Sequence, residues 1–279
     1  MQGDLGVLVR SHARAMPGRD SQRYRPPSEA DRRSMELAFR AMLRGDLTGA
    51  ITPATEVGYD VVPYVDLPTG RELLLLHEPT TERGAGRGWG LFAHAAGQGS
   101  NAAIEAPHPV NDAHTEFVAV QAFRASFASD LFVAGAHRHA NPFGGADVAH
   151  QPVSVFETIH RVAIERPGVV FQPHGFESRG ARRSWDAVVS TGQLPPDELA
   201  ETVARRLRRM GLRAVLFDGE ACRVLGGTRN VQGRSTRERG SRFLHLELAH
   251  RVRADVEMAT AVARAVAETI DAFLADPVA

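Results

Sequence analysis

The sequence predicts an α/β fold with a mixed sheet. Strand-sized apolar runs alternate with amphipathic helical stretches from about residue 101 onward. Polar, histidine-bearing turns follow several of those runs. The chain has 279 residues, 43% of them apolar and 24% charged, enough for a substantial core without a disulfide or a structural metal.

The elements follow in order. Residues 1–27 are rich in Arg, Pro and Ser without a clear period, which predicts an irregular arm. A single domain, 28–279, is expected after it: a helix and strand extension over 28–100 and a core over 101–279. Ser28 with Asp31 forms a variant capping box; Met35, Ala38, Met42 and Leu43 carry the first helix, and Gly45 closes it. Strands are expected at 57–66 and 71–77 around the turn Leu67-Pro68-Thr69-Gly70, then at 90–96 and 102–106, with a Gly/Arg-rich loop at 84–90. A helix over 115–127 presents Phe117, Val120, Phe123 and Phe127. Strand 131–136, helix 153–164 and strands 168–172 and 185–189 come next. Pro195-Pro196-Asp197-Glu198 opens a helix stopped by Gly211, strand 213–217 follows, and 226–240 reads as a polar loop. Strand 243–248 and a helix over 255–274, with Val262, Val266, Ile270 and Phe273 inward, complete the chain.

Charge excludes several classes. Basic and acidic residues balance at 33 each, which weighs against a nucleic-acid partner. Every basic residue is Arg, so no lysine is available as Schiff base or general base. Arg179–Arg183, Arg205–Arg209 and Arg234–Arg242 read as solvated faces before they read as a nucleic-acid patch. The lone Cys222 excludes an intramolecular disulfide framework. No apolar run reaches the ~18 residues of a membrane span, so no membrane partner is expected. The start has no signal-peptide pattern; the protein is expected in the cytoplasm unless an export segment lies outside this sequence.

Seven of the twelve histidines lie between His108 and His174. His108 and Asp112 occupy the turn after one strand, and His174 ends another, at the edge where α/β sheets bind ligands. Imidazole and carboxylate suit zinc, though the same residues also suit an ordinary polar loop. In Phe243-Leu244-His245-Leu246-Glu247-Leu248, alternation puts His245 and Glu247 on one face and the leucines on the other. Glu247 is then either an ion-paired carboxylate, with Arg251 as one candidate, or a general base beside a metal. Arg138 and Asn141, after strand 131–136, are candidates for holding a substrate carboxylate or an oxyanion, as are Asn230 and Arg229 in the loop before the last strand. Asp147 reads as a helix cap and His150 as a surface residue.

These segments resemble the zinc-dependent amidohydrolases of the phosphorylase/hydrolase-like fold, above all phage-type poly-γ-glutamate hydrolases, and more distantly N-formylglutamate amidohydrolases and zinc carboxypeptidases. The matching residues are Pro107-His108 through Thr115-Glu116, His174-Gly175, and His245-Leu246-Glu247-Leu248 with Arg251. The resemblance covers residues 102 to the C-terminus. It implies a three-layer α/β/α fold with a mostly parallel central sheet and one Zn²⁺ per chain on His108, Asp112 and His174. It also implies Glu247 as catalytic acid/base; Arg138, with Arg251 beside it, is the candidate for binding the developing oxyanion or a substrate carboxylate, read from its position and not from the resemblance. The implied substrate is a small molecule or peptide with a free carboxylate, cleaved at an amide bond by metal-activated water. Three departures stand out: the glycine run after His108 is Pro109-Val110-Asn111, the spacing to the acid is one residue shorter, and that acid is Asp. Glu105 and Glu116 therefore compete with Asp112 as carboxylate ligand. A zinc esterase or deacylase on the same site, and a non-catalytic binding module on the same fold, are the alternatives.

Overall fold

The computed structural model describes residues 1–79, 86–95, 97, 99–166, 168–178, 184–220 and 222–275. The first half of the chain runs β1 (Gln2–Gly3), α1 (Leu5–Ala15), α2 (Glu29–Leu43), α3 (Leu47–Glu56), β2 (Asp60–Asp66), β3 (Arg71–His77), β4 (Leu91–Ala95), β5 (Ser100–Ala106), α4 (Thr115–Ala125) and β6 (Ala128–Val133). The second half runs α5 (Val155–Ala163), β7 (Val169–Phe176), β8 (Ala187–Ser190), α6 (Glu198–Arg209), β9 (Ala214–Leu216), α7 (Val231–Glu238), β10 (Arg242–Ala249), α8 (His250–Ala254) and α9 (Val256–Ala275).

Among the described residues, ten strands form one sheet in the order β1-β2-β3-β4-β6-β5-β7-β10-β8-β9. It is mixed and mostly parallel. The four central strands β6, β5, β7 and β10 all run the same way. The β2–β3, β3–β4, β4–β6 and β10–β8 pairs are antiparallel. Helices α1, α4, α6 and α9 cover one face, and α2, α3, α5 and α7 the other, which makes three layers. Alternation along β10 feeds both cores: Phe243 belongs to the α2/α5 side, and Leu244, Leu246 and Leu248 to the α4/α9 side. No helix among the described residues is long and apolar enough to cross a membrane.

Most expected elements are present within a few residues, including the Ser28–Asp31 capping box and the turn closed by Gly70 at φ 69°. Other readings need correction. Residues 1–27 are not an irregular arm: Met1–Gly3 runs beside β2, and residues 5–15 are helical. Asp4 caps that helix at Gly6 N and Val7 N, and Leu5, Val9 and Ala13 supply a buried line every four residues. Arg10, Ser11, His12 and Arg14 between them hide the period in the sequence. Residues 47–56, between the first expected helix and strand, are a further helix, and Asp46 caps it at Gly49 N. Its Thr, Gly and Pro content mimics a loop. Residues 231–238 form α7 rather than loop because its buried side is polar: Gln232, Ser235 and Thr236 bond to Glu157 and His160 instead of packing as an apolar stripe. Phe127 lies beyond α4 and is exposed. The Arg179–Arg183 run and residues 84–85 lie outside the described residues.

One buried carboxylate joins α1, the β2–β3 turn and α4. Asp66 accepts from Leu5 N at 3.0 Å, from Arg124 Nε at 2.9 Å and Nη2 at 2.7 Å, and from Thr69 Oγ1 at 2.8 Å. Burial pushes its carboxyl up, but these donors outweigh burial and hold the pKa below the ordinary value. Its stabilisation is therefore fully present above the unfolded-state pKa of about 4 and is lost as pH falls through the lower folded value. Asp66→Asn is expected to lower stability by about 3 kcal/mol at pH 7 and to make the acid side of the stability–pH curve shallower. Thermal melts at pH 7 and pH 3 check this; parallel curves for the two proteins would contradict it.

Candidate active site

Three adjacent parallel strands deliver the site to their C-terminal ends. In the β7–β10 register Glu247 lies opposite His174 and His245 opposite Gln172, so all four share one face. β5 lies on the other side of β7, and His108 follows it after one proline. The turn then folds back, with Asp112 N donating to His108 O at 2.9 Å, which returns the Asp112 carboxylate over the strand ends.

His108 Nδ1 and His174 Nδ1 each stand 3.4 Å from Asp112 Oδ2. All three residues are buried, and their ligand-type atoms lie within 4.8 Å of one another. Ligand atoms held at 2.0–2.1 Å by a tetrahedral zinc are roughly 3.3 Å apart. The two rings meet edge-on at 75°, with both Nδ1 atoms turned to the same carboxylate oxygen of Asp112. The other ring nitrogens are already held: His108 Nε2 by Asp147 Oδ1 at 2.8 Å, and His174 Nε2 by Gln172 Oε1 at 3.2 Å. Each acceptor favours a proton on Nε2 and frees the Nδ1 lone pair, the arrangement that supports histidine ligands. His108 Nδ1 is buried with no hydrogen-bond partner. The donor set fits a single divalent metal.

A second group, His174, His245 and Glu247, also lies within ligand range. There the two imidazoles are stacked, with centroids 4.4 Å apart and planes at 28°. Lone pairs in nearly parallel planes do not converge on one ion, so this group does not suit a metal. His245 is instead a neutral packing surface, with burial driving its pKa well down.

Electrostatics separate the two central carboxyls. Burial opposes the Asp112 charge, but His108 and His174 hold its carboxyl far below the usual range. Asn111 Nδ2 at 2.7 Å and Gly175 N at 3.2 Å add donors. Glu247 has no comparable partner. Its Oε2 is buried without a hydrogen bond, and burial, reinforced by the Asp112 charge, pushes its carboxyl up to about 8.

A cavity of about 500 Å³ opens above these residues, lined among others by His108, His174, Glu247, Arg138, Arg229 and Asn230. Arg138 lines it as expected, with Nη2 on Asp147 Oδ2 at 2.5 Å and Nε buried and unpartnered. Asn230 also lines it, but its amide is already used: Nδ2 donates to Gln172 Oε1 at 2.7 Å and Oδ1 caps α7 at Gly233 N. Asn141 is not at the cavity; its Nδ2 is tied to Tyr24 O at 2.8 Å. Arg251 is not there either, because Asp186, Ser178 and Trp185 hold it away. The buried arginine of this region is Arg253, two residues later, whose Nε and Nη1 have no partner. Gly175 makes room for it: a Cβ there would lie 2.3 Å from Arg253 Nε. That close approach, and not a turn, is why β7 carries a glycine next to His174. Glu105 is bonded to His160 and Gln172, and Glu116 is in neither ligand group, so among these acids Asp112 is the one that meets both histidines. Asp147 caps no helix; it holds His108, Arg138 and His150 together. His150 lines the cavity beside it. Sequence reading missed Asp147, Gln172 and Arg253. Only Gln172 carried a local signal, lying two residues before His174 and so on the same strand face.

No family model matches the chain, and no curated protein matches it by sequence. Solved structures do. A gene product of Agrobacterium tumefaciens shares 12% identity over 64% of this chain and 92% of its own, with a TM-score of 0.46. A bacteriophage poly-gamma-glutamate hydrolase shares 14% over 62% of this chain and 84% of its own, at 0.43. An aspartoacylase family protein from Mesorhizobium loti shares 11% over 76% of this chain and 70% of its own, at 0.45. The residue assignments rest on the geometry above.

Because Asn230 both caps α7 and donates to Gln172, Asn230→Ala is expected to cost about 1–3 kcal/mol of stability. Arg251→Ala, outside the cavity, is expected to leave ligand binding there unchanged. Denaturant unfolding of both variants, with metal titration of the second, checks the two assignments.

Proposed function

We propose that this chain is a zinc-dependent hydrolase that cleaves an amide bond in a carboxylate-bearing substrate, a peptide or an N-acyl-amino-acid. The observation that carries the reading is the convergence of His108 Nδ1, Asp112 Oδ2 and His174 Nδ1 beside the unpartnered Glu247 Oε2 on a polar cavity floor. Two imidazoles and one carboxylate leave a ligand position open, as in catalytic zinc sites. Zinc bound there, one per chain, would polarise a scissile carbonyl and lower the pKa of water to about 7.

The chain's own residues divide the remaining tasks. Glu247, in the carboxylate form that a cation held beside it would favour, receives a proton on Oε2 from the attacking water and passes it to the leaving amine nitrogen. Arg138, anchored through Nη2 by Asp147 and lining the cavity, offers its guanidinium to a carbonyl oxygen or a substrate carboxylate. Arg229, on the cavity lining, adds positive charge that favours an acidic substrate. Arg253, buried near Asp112 and Glu247, offsets part of their negative charge. Asp147 orients His108 and sets its tautomer.

Elemental analysis of protein purified without chelator or a polyhistidine tag is expected to find about one zinc per chain, lost in His108→Ala and His174→Ala. Asp147→Asn is expected to weaken zinc binding about 10- to 100-fold. Glu247→Gln is expected to keep the metal and lose about 10²- to 10⁴-fold in hydrolysis of carboxylate-bearing amides. A native protein that takes up no zinc sinks the reading. Zinc uptake without hydrolysis of amides or esters points instead to a binding module.

A further inference from the structure

Beneath the candidate metal site lies a buried polar chain that the proposed reaction does not use. His160, Glu105 and Gln172 are fully buried, and they lead to His174. His160 Nδ1 meets Glu105 Oε1 at 2.7 Å, and Gln172 Nε2 donates to Glu105 Oε2 at 2.6 Å. On its other side Gln172 Oε1 faces His174 Nε2 at 3.2 Å and accepts from Asn230 Nδ2 at 2.7 Å.

Donor and acceptor logic assigns every proton in this chain. The Thr236 hydroxyl donates to Gln232 O at 2.7 Å, so at 3.3 Å it can only accept from His160 Nε2. His160 Nε2 therefore carries a proton, and Nδ1 shares a second one with Glu105 Oε1 at 2.7 Å. Burial alone would strip that proton, but the Glu105 charge overrides it and raises the His160 pKa. With Oε1 engaged by His160, Glu105 Oε2 is left to accept, and Asn230, whose Oδ1 accepts from Gly233 N, can only donate to Gln172; the NH₂ of Gln172 therefore faces Glu105. Gln232 agrees, since its Nε2 donates to Val148 O and Glu157 Oε2, leaving Oε1 toward Gln172 Nε2 at 3.5 Å. The Gln172 carbonyl oxygen is then forced toward His174.

We propose that Gln172, held in one amide orientation by the Glu105–His160 pair, is a positioning residue that keeps the His174 proton on Nε2 and its Nδ1 lone pair available for a metal. A flipped amide would present NH₂ to Nε2, favour a proton on Nδ1 and close the site. Glu105, one of the acids weighed as a metal ligand, thus acts on the metal through the orientation of its neighbours. This inference rests on the metal reading above, and its test separates the two.

Two measurements test it. Long-range ¹H–¹⁵N spectra of the zinc-free native protein, with His174→Gln for assignment, are expected to show the His174 proton on Nε2. Zinc affinity by chelator competition is expected to fall about 10- to 100-fold in Gln172→Met. In the double variant Glu105→Gln with Gln172→Glu, the amide and carboxylate exchange places and the bonds to His160, His174 and Asn230 are remade, while the 3.5 Å bond to Gln232 Oε1 is lost. Its affinity is expected to return to within about tenfold of native, since a carboxylate is also a good acceptor for a ligand histidine. A His174 proton on Nδ1 in the native protein overturns the proposal, and so does native zinc affinity in a folded Gln172→Met. Should Gln172→Met not fold, the exchanged double variant decides: folded with zinc affinity near native it supports the proposal, folded without zinc binding it overturns it. A native protein that binds no zinc refutes the metal reading, while the tautomer spectrum still decides the role of Gln172.

Discussion

The parallel pairing of β7 with β10 is the constraint on which the site depends. It sets Glu247 opposite His174 and His245 opposite Gln172, on the face away from Leu244, Leu246 and Leu248. A slip of one residue would turn the acidic face into the α4/α9 core and the leucines toward the cavity. The three leucines therefore determine the position of Glu247 as firmly as any contact Glu247 makes itself. β5 on the other flank of β7 completes the arrangement, because its end launches the turn that carries His108 and Asp112.

The second organising factor is the cost of burying polar groups. Asp112, Asp147, Glu105 and Glu157 are all buried, and each has donors assigned to it. Buried atoms without partners occur elsewhere in the chain too, but in this region they are His108 Nδ1, Glu247 Oε2, Arg138 Nε, His245 Nδ1 and two nitrogens of Arg253. The first four belong to residues lining one cavity. A site that leaves a few polar atoms open while satisfying their surroundings is arranged for something it binds. The same cost explains α7, whose inward side hydrogen-bonds to Glu157 and His160, and Gly175, which yields its side-chain volume to a buried guanidinium.

The N-terminal hundred residues extend the sheet and also brace the site. Between α1 and α2 the chain passes beside the Arg138 turn, where Asp20 N bonds His139 O, Gln22 N bonds Ala140 O and Asn141 Nδ2 bonds Tyr24 O. Asn141 thus serves as the fastening of this segment, and Arg138 is held on a turn bonded from two sides.

The sequence by itself determined the class of fold and the order of most strands and helices, and it put forward His108, Asp112, His174 and Glu247 as candidates at strand ends, which the family resemblance joined into one set. Those features are local: strand parity, helix caps and the spacing of a turn act within a few residues. Only the tertiary structure decided that Asp147 backs His108 across 39 positions, that Arg253 and not Arg251 is the buried cation, and that Glu105 supports a histidine through Gln172. Each of those depends on which side chains meet across strands distant in sequence, where no periodicity reaches. α1 and α7 were hidden for a related reason. Their buried faces are short or polar, and only the surfaces they pack against make those faces interior.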